Sequence, residues 1–161
     1  MSTPARQTWP ADWFERKAGR GCPICADDRA ASEDPLGNPR IFAGEHADAY
    51  LQREAVQRGY VVVVWRGRHV AEPTELTEPE LNAYWRELLT VARALAAHYA
   101  PAQINYEIHG NSVPHLHTHV QARFLDDSGP GRPLDLSDRR PLPPEPFEAD
   151  VQALRALLSA T

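Results

Sequence analysis

The chain has 161 residues and a formal net charge of −5, with 42% hydrophobic and 24% charged residues. These values are typical of a globular protein, and the length suits a single domain, residues 1–161, around one hydrophobic core. The 17 Lys and Arg residues form no tract, which argues against a general attraction to nucleic acid. The longest apolar run, Tyr60–Trp65, is far too short to span a bilayer, so no membrane segment is predicted.

Residues 1–39 are expected to form an N-terminal segment outside the core. They contain no continuous apolar stretch of the kind found in a secretory signal, and residues 10–19 favour a short helix. Cys22 and Cys25 follow as a CxxC pair, which in a reducing compartment is more typical of a metal or redox element than of a disulfide. We therefore expect a cytoplasmic protein with half of a zinc site, followed by a polar loop.

The core, residues 40–124, is predicted to begin with strands. Residues 40–45 and 47–53 favour two strands joined by a turn. The β-branched run over residues 60–65 is the strongest strand signal in the chain. Because this run is apolar at every position, we expect a central strand that is covered on both faces.

One long helix is predicted to follow. Thr77 and Glu80 have the spacing of a capping box, and apolar residues then recur at helical intervals, which predicts a helix over residues 78–98. The expected apolar stripe consists of Leu81, Trp85, Leu88, Ala92 and Leu95. We expect this apolar stripe to pack against one face of a sheet.

After Pro101 the pattern returns to strands. Residues 104–109 and 115–124 are predicted strands, separated by a turn at residues 110–112. The order of strands, helix and strands, with tight connections, predicts an α+β protein whose sheet is mainly antiparallel.

Residues 125–161 differ in composition from the core. A stretch rich in proline and acidic residues predicts an irregular surface tail. A terminal helix over residues 147–158 is expected to dock this tail through Val151, Leu154 and Leu158.

Three histidines alternate in the last predicted strand, at positions 115, 117 and 119. Alternate side chains of a strand project from one face, so the three imidazoles are expected to share a surface. Charged neighbours there would repel, so the surface needs neutral rings or a shared anion or metal. Alternate side chains lie about 7 Å apart, which is too far for all three to reach one metal at about 2 Å. This spacing favours a site in which one histidine attacks phosphorus while its neighbours orient the phosphate and the leaving group.

The segment from His115 to Gln121 resembles the signature of the histidine triad (HIT) superfamily of nucleotide hydrolases and transferases, in which histidines alternate with hydrophobic residues. Thr118 and Gln121 are polar where that pattern is apolar. The resemblance extends to the strand and the basic-residue-His element over residues 59–70 and to the helix after Thr77. It covers residues 40–124.

The resemblance implies a HIT-like fold with a five-stranded, mainly antiparallel sheet and one long covering helix. It also implies that His117 attacks the α-phosphate of a nucleotide and that water cleaves the resulting nucleotidyl-histidine. An ordinary histidine pKa near 6.5 leaves this nucleophile mostly neutral at pH 7. By the same resemblance, His119 would hold phosphate oxygens, Ser112 would hydrogen-bond the phosphate or the departing group, and Asn105 matches a polar position on the phosphate side.

A hydrolase of phosphoramidates or dinucleoside polyphosphates is the favoured activity. In the uridylyltransferase branch of the superfamily, proline and glutamine replace the residues found here as Leu116 and His119. The alternatives are a nucleotidyltransferase or phosphorylase, a non-catalytic nucleotide-binding protein, and a metal-dependent hydrolase that uses all three histidines. Family members are commonly homodimers whose sheets join, so a homodimer is expected.

Some HIT proteins carry a structural zinc held by such a cysteine pair and two histidines. The resemblance maps these ligands to Cys22, Cys25, His69 and His115, a set of two sulfurs and two nitrogens suited to tetrahedral zinc. In that arrangement His115 ties the N-terminal segment to the catalytic strand and takes no part as an acid or base. No role follows from the sequence for His109.

Overall fold

The computed structural model describes residues 8–160, which fold into an antiparallel sheet covered on one face by helices. The strands are β1 (Arg40–Ala43), β2 (Ala47–Leu51), β3 (Glu54–Ala55), β4 (Tyr60–Trp65), β5 (Gln103–Glu107), β6 (His117–Arg123) and β7 (Arg140–Pro141). The helices are α1 (Trp13–Lys17), α2 (Glu78–Tyr99) and α3 (Pro144–Ser159). None of these helices is both long and apolar enough to cross a membrane.

The main sheet has five strands in the order β1-β2-β4-β6-β5, and every neighbouring pair is antiparallel. The predicted α+β class and mainly antiparallel sheet are confirmed. The strand β4 is central, as expected, and Val61, Val63 and Trp65 lie in the core on the face that α2 and α3 cover. On the other face, Val62 and Val64 line a cavity, and within residues 8–160 no second layer of helices covers them. The expected cover on both faces is therefore wrong for this one.

The helix α2 begins with the predicted capping box, in which Thr77 and Glu80 satisfy each other's backbone N–H groups. Its buried stripe lies slightly to one side of the expected one: Tyr84 and Val91 are fully buried, whereas Leu81 is only partly buried. The Tyr84 hydroxyl donates to the carbonyl of Val63 at 3.1 Å and lies 2.8 Å from the Thr118 hydroxyl. This contact explains how the core accepts a polar residue at position 118.

The terminal helix α3 packs on α2 and β1, and its predicted apolar contacts are confirmed. Phe147, Val151, Leu154 and Leu158 are buried. The helix begins at Pro144, three residues earlier than predicted, because proline is favoured in the first turn, where its missing N–H costs nothing.

The tail before α3 is more ordered than its composition predicts. Leu134 is buried, a short 3-10 helix spans Leu136–Asp138, and β7 pairs with β3. A two-residue strand has no periodicity that a sequence pattern could reveal, so the sequence does not predict this anchoring.

The two strands around the predicted turn are shorter than expected. β5 ends at Glu107 and β6 begins at His117, so residues 108–116 form a longer loop. His115 therefore precedes the strand, and the prediction of three histidines alternating along one strand is wrong for its first member. The alternation holds for His117 and His119 alone.

Candidate active site and metal centre

A cavity of about 710 Å³ opens on the sheet face opposite to α2 and α3. Its floor consists of Tyr60, Val62 and Val64 from β4 and of His117 and His119 from β6. The register explains this set, since Val64 pairs with His117 and Val62 pairs with His119, and cross-strand partners project from the same face. The volume falls in the range of small-molecule sites.

Besides the loop between β5 and β6, three irregular segments form walls of the cavity. Ile24 comes from the cysteine-pair segment, Leu36 from the loop before β1, and Leu136 and Arg139 from the tail. The sequence signals did not reveal these walls, because each belongs to an irregular segment that only the fold brings to the sheet.

His117 is held in one orientation and one protonation state. Its Nδ1–H donates to the carbonyl of His115 at 2.6 Å, which in a neutral ring leaves the lone pair on Nε2. Burial lowers the pKa of His117 below its ordinary value of 6.5. The ring is therefore neutral at pH 7, as attack on phosphorus requires.

His119 lies next to His117, with ring centroids 5.1 Å apart. Its Nδ1 lies 2.6 Å from the hydroxyl of Tyr60, a residue that the sequence placed only in the central strand. Burial lowers the pKa of His119 to about 4, with smaller contributions from the neighbouring His117 and His109. Burial also raises the pKa of Tyr60 to about 12, so the hydroxyl stays protonated and can donate to the ring.

The loop between β5 and β6 brings Ser112 to the rim of the cavity. Gly110 has a φ of 68°, in the left-handed region that favours glycine, and turns the chain there. Ser112 is exposed and lines the cavity, as do Asn111 and His109. Glu107 holds the His109 ring at 2.9 Å. The structure thus brings Ser112, His117 and His119 to one site.

Asn105 occupies a different environment from the other candidate residues. Within β5 it pairs with Gln121, whereas Glu107, two residues further along β5, pairs with His119. Its Oδ1 accepts a hydrogen bond from Arg123 at 2.8 Å, and the cavity lining does not include it. Its contacts hold Arg123 rather than approach the histidines.

The four predicted metal ligands come together beside the cavity. The ligand atoms of Cys22, Cys25, His69 and His115 all lie within 4.8 Å of one another. The Cys25 sulfur lies 3.4 Å from Nδ1 of His69 and 3.5 Å from Nδ1 of His115. A sulfur and a nitrogen bound to one tetrahedral zinc would be roughly 3.5 Å apart, given the usual bond lengths. The donor set and its spacing therefore fit zinc.

Both histidines of this cluster are oriented by the backbone. His115 donates Nε2–H to the carbonyl of Trp65 at 2.7 Å, and His69 donates Nε2–H to the carbonyl of Lys17 at 3.0 Å. Each ring therefore presents an unprotonated Nδ1 to the sulfurs, the arrangement that metal-binding histidines usually show. A Cβ at Gly19 would approach the His69 ring to 3.0 Å, which explains the glycine there.

A buried arginine ties the cysteine-pair segment to the sheet. Arg66 donates to the carbonyl of Ile24 at 3.1 Å and pairs with Asp27 at 2.8 Å and Asp48 at 2.9 Å. Asp48 is fully buried and also pairs with Arg29. A carboxylate in an otherwise apolar strand signals a partner, but the sequence does not identify which arginine supplies it.

Comparison with known proteins gives a consistent result. A family model described as the HIT domain matches residues 38–125, more than half of the chain. The bis(5'-adenosyl)-triphosphatase of Saccharomyces cerevisiae is 30% identical over 89 residues, which cover 52% of this chain and 43% of the yeast protein. The chain thus spans less than half the length of this curated relative.

Solved structures share the fold. A histidine triad protein from Bradyrhizobium japonicum has a TM-score of 0.69 at 23% identity, covering 75% of this chain and 90% of its own. A histidine triad protein from Marinobacter aquaeolei has a TM-score of 0.67 at 21% identity, covering 76% and 90%. A zinc-bound histidine triad family protein from Mycobacterium smegmatis has a TM-score of 0.56 at 24% identity, covering 75% and 84%. The predicted fold is confirmed.

Proposed function

Because the chain belongs to the histidine triad family, we propose that it is a nucleotide hydrolase that cleaves a phosphoramidate or a dinucleoside polyphosphate at the α-phosphate. The observation that carries this proposal is the state of His117. Its Nδ1–H is held by the carbonyl of His115, and at the floor of the cavity no donor among residues 8–160 occupies the lone pair on Nε2. A neutral, oriented imidazole of this kind is suited to covalent catalysis.

The proposed reaction has two steps. Nε2 of His117 forms a bond to the α-phosphorus while the bond from phosphorus to the leaving oxygen or nitrogen breaks. The leaving group departs with that electron pair, and an amine leaving group also takes up a proton from solvent. The exposed Ser112 hydroxyl supplies a hydrogen bond to the departing atom. Water then attacks the phosphorus and loses a proton to solvent, the bond from phosphorus to Nε2 breaks with its electron pair returning to Nε2, and the nucleoside monophosphate leaves His117 free.

His119 acts as a donor to the phosphate in this proposal. The Tyr60 hydroxyl, whose pKa of about 12 keeps it protonated, donates to Nδ1 of His119. A neutral ring that accepts at Nδ1 carries its proton on Nε2. His119 therefore directs one N–H group toward the oxygens of the bound phosphate, where negative charge develops during attack.

We also propose that Cys22, Cys25, His69 and His115 hold one structural zinc ion. When bound, zinc supplies a cross-link between the N-terminal segment and the catalytic strand, with all four coordination positions taken by protein. This placement separates His115 from the reaction, because its Nδ1 faces the sulfurs while His117 and His119 line the cavity. It argues against a hydrolytic metal shared by the three histidines.

We propose further that the chain is cytoplasmic and forms a homodimer. The strand β5 lies at one edge of the five-stranded sheet and, within residues 8–160, pairs with β6 alone. An open edge of this kind can pair with a second copy. Sedimentation velocity would show twice the mass of the chain, and a monomer at micromolar concentration would contradict this assembly.

The activity is tested by incubating the protein with adenosine 5'-phosphoramidate and with diadenosine triphosphate and measuring released AMP. His117→Ala should lower turnover roughly 1,000-fold or more, because the covalent step loses its nucleophile. His46→Gln, a change at the β1–β2 turn outside the cavity, should leave turnover unchanged. Unchanged turnover in His117→Ala would reject the nucleophile, and nucleotide binding without any turnover would favour a non-catalytic binding protein.

A further inference from the structure

Arg139 reaches the active-site cavity from outside the segment that the family model matches. That match ends at residue 125, whereas Arg139 follows the short 3-10 helix of the tail and lines the cavity with His117 and His119. Its Nε donates to the carbonyl of Leu136 at 2.9 Å, and neither terminal nitrogen of the guanidinium has a hydrogen-bond partner among the described residues.

The backbone on both sides of Arg139 is fixed. Leu134 is buried, and the Asp135 side chain caps the 3-10 helix by accepting from the N–H of Ser137. On the other side, Arg140 pairs with Ala55 in the small β3–β7 sheet. Arg139 is thus presented to the cavity from an anchored turn, and its positive charge contributes to the lowered pKa of His119.

Arg139 and Arg66 are the arginines of the cavity lining, and they differ in their partners. Arg66 is buried and committed to Asp27 and Asp48. Arg139 is exposed, and within residues 8–160 its side chain bonds to the carbonyl of Leu136 and to no carboxylate. The guanidinium of Arg139 is therefore the one in this lining that remains available to an anionic ligand.

The two substrate classes of the proposed function differ in the charge of their leaving groups. A phosphoramidate loses an amine, which carries no phosphate. A dinucleoside polyphosphate loses a nucleotide that carries at least one further phosphate. An arginine fork binds such a phosphate through paired, charge-assisted hydrogen bonds.

We propose that Arg139 binds the phosphate next to the α-phosphate and thereby selects nucleotides that carry two or more phosphates. The inference rests on the proposed function and assigns a substrate-binding task to the tail. It favours dinucleoside polyphosphates over phosphoramidates as the substrate class.

The first experiment compares kcat/KM of Arg139→Gln and wild type on diadenosine triphosphate and on adenosine 5'-phosphoramidate. The ratio of the two values should shift by about 10–100-fold toward the phosphoramidate, the effect of losing one hydrogen-bonded charge pair. Arg139→Lys should recover part of the shift, because it keeps the charge but loses the fork. Arg140→Gln, an adjacent exposed arginine outside the cavity, is the matched control. An unchanged ratio in Arg139→Gln would overturn the inference.

The second experiment separates this inference from the proposed activity. Binding of AMP, ADP and ATP is measured by calorimetry on the His117→Asn background, with and without Arg139→Gln. The gain in affinity from AMP to ADP should be about 10-fold with Arg139 and should disappear without it. That result supports phosphate binding by Arg139 even if the wild type turns over neither substrate. An equal gain in both proteins would refute it.

Discussion

At the scale of single residues, His119 shows how burial sets a protonation state. The ring lies against Tyr60 and close to His117, and within residues 8–160 no carboxylate pairs with it. Burial therefore favours the neutral form and lowers the pKa of His119 to about 4. Two neutral rings can share the site without the repulsion that two imidazolium ions would cause.

This environment predicts a pH dependence of stability. The unfolded chain protonates His119 near pH 6.5, whereas the folded chain does so near pH 4. Between these values the unfolded state binds more protons, so the free energy of unfolding decreases as the pH falls. Chemical denaturation of wild type and His119→Gln between pH 4 and 7 should show the steeper dependence in wild type, by up to about 1.4 kcal/mol per pH unit.

Loss of zinc at low pH would affect both proteins alike, so the difference between their slopes isolates His119. Parallel curves would mean that the ring is not buried in its neutral form.

At the scale of elements, the cysteine-pair segment serves two structures at once. Its cysteines face His69 and His115, while the intervening Pro23 and Ile24 line the cavity. Arg66 fixes the same segment to the sheet through the carbonyl of Ile24. A metal at the cluster would therefore hold a wall of the candidate active site in place without taking part in the proposed reaction.

Elemental analysis of the purified protein should find about one zinc per chain. Cys22→Ser should lose the metal and lower the midpoint of thermal unfolding by at least ~5 °C, because metal binding contributes to folding free energy. His109 lies near the cavity but outside the cluster, so His109→Gln should retain the zinc and the wild-type unfolding midpoint. A metal-free wild type with the same unfolding midpoint as a zinc-loaded sample would contradict the proposed site.

At the scale of the whole molecule, the residues that stabilise the fold and the residues of the candidate site lie on opposite faces of the sheet. One face packs on α2 and α3 and contains most of the core, whereas the other face forms the floor of the cavity. Substitutions on the helix side should therefore change the free energy of unfolding without altering the geometry of His117.

Leu154→Ala tests this separation. Leu154 is fully buried in α3, and its truncation should lower the free energy of unfolding by about 2–5 kcal/mol. Leu157, on the same helix, is 38% exposed, and Leu157→Ala should cost less than about 1 kcal/mol. The kcat of the folded fraction should match wild type in both variants. A large loss of kcat in Leu154→Ala at full folding would show that the two faces are coupled.

The elements with strong periodicity could be predicted from sequence. The run at residues 60–65, the capping box at Thr77, and the apolar spacing of α2 and α3 are local patterns, and each formed the expected element. The histidine pattern at positions 115–119 and the CxxC pair are likewise local, whereas the zinc ligand set and the role of His117 rest on the resemblance to the HIT superfamily. The local features depend on neighbours within one or two turns of chain, so the sequence contains them directly.

Only the tertiary structure decided the contacts between residues that lie far apart in the sequence. His115 lies outside the strand, and its ring contacts two cysteines some 90 positions earlier and the carbonyl of Trp65. Tyr60 meets His119 through strand register, and Arg139 reaches the cavity through the pairing of β7 with β3. These contacts arise from packing between elements far apart in sequence, and local sequence patterns do not predict which distant residues come into contact.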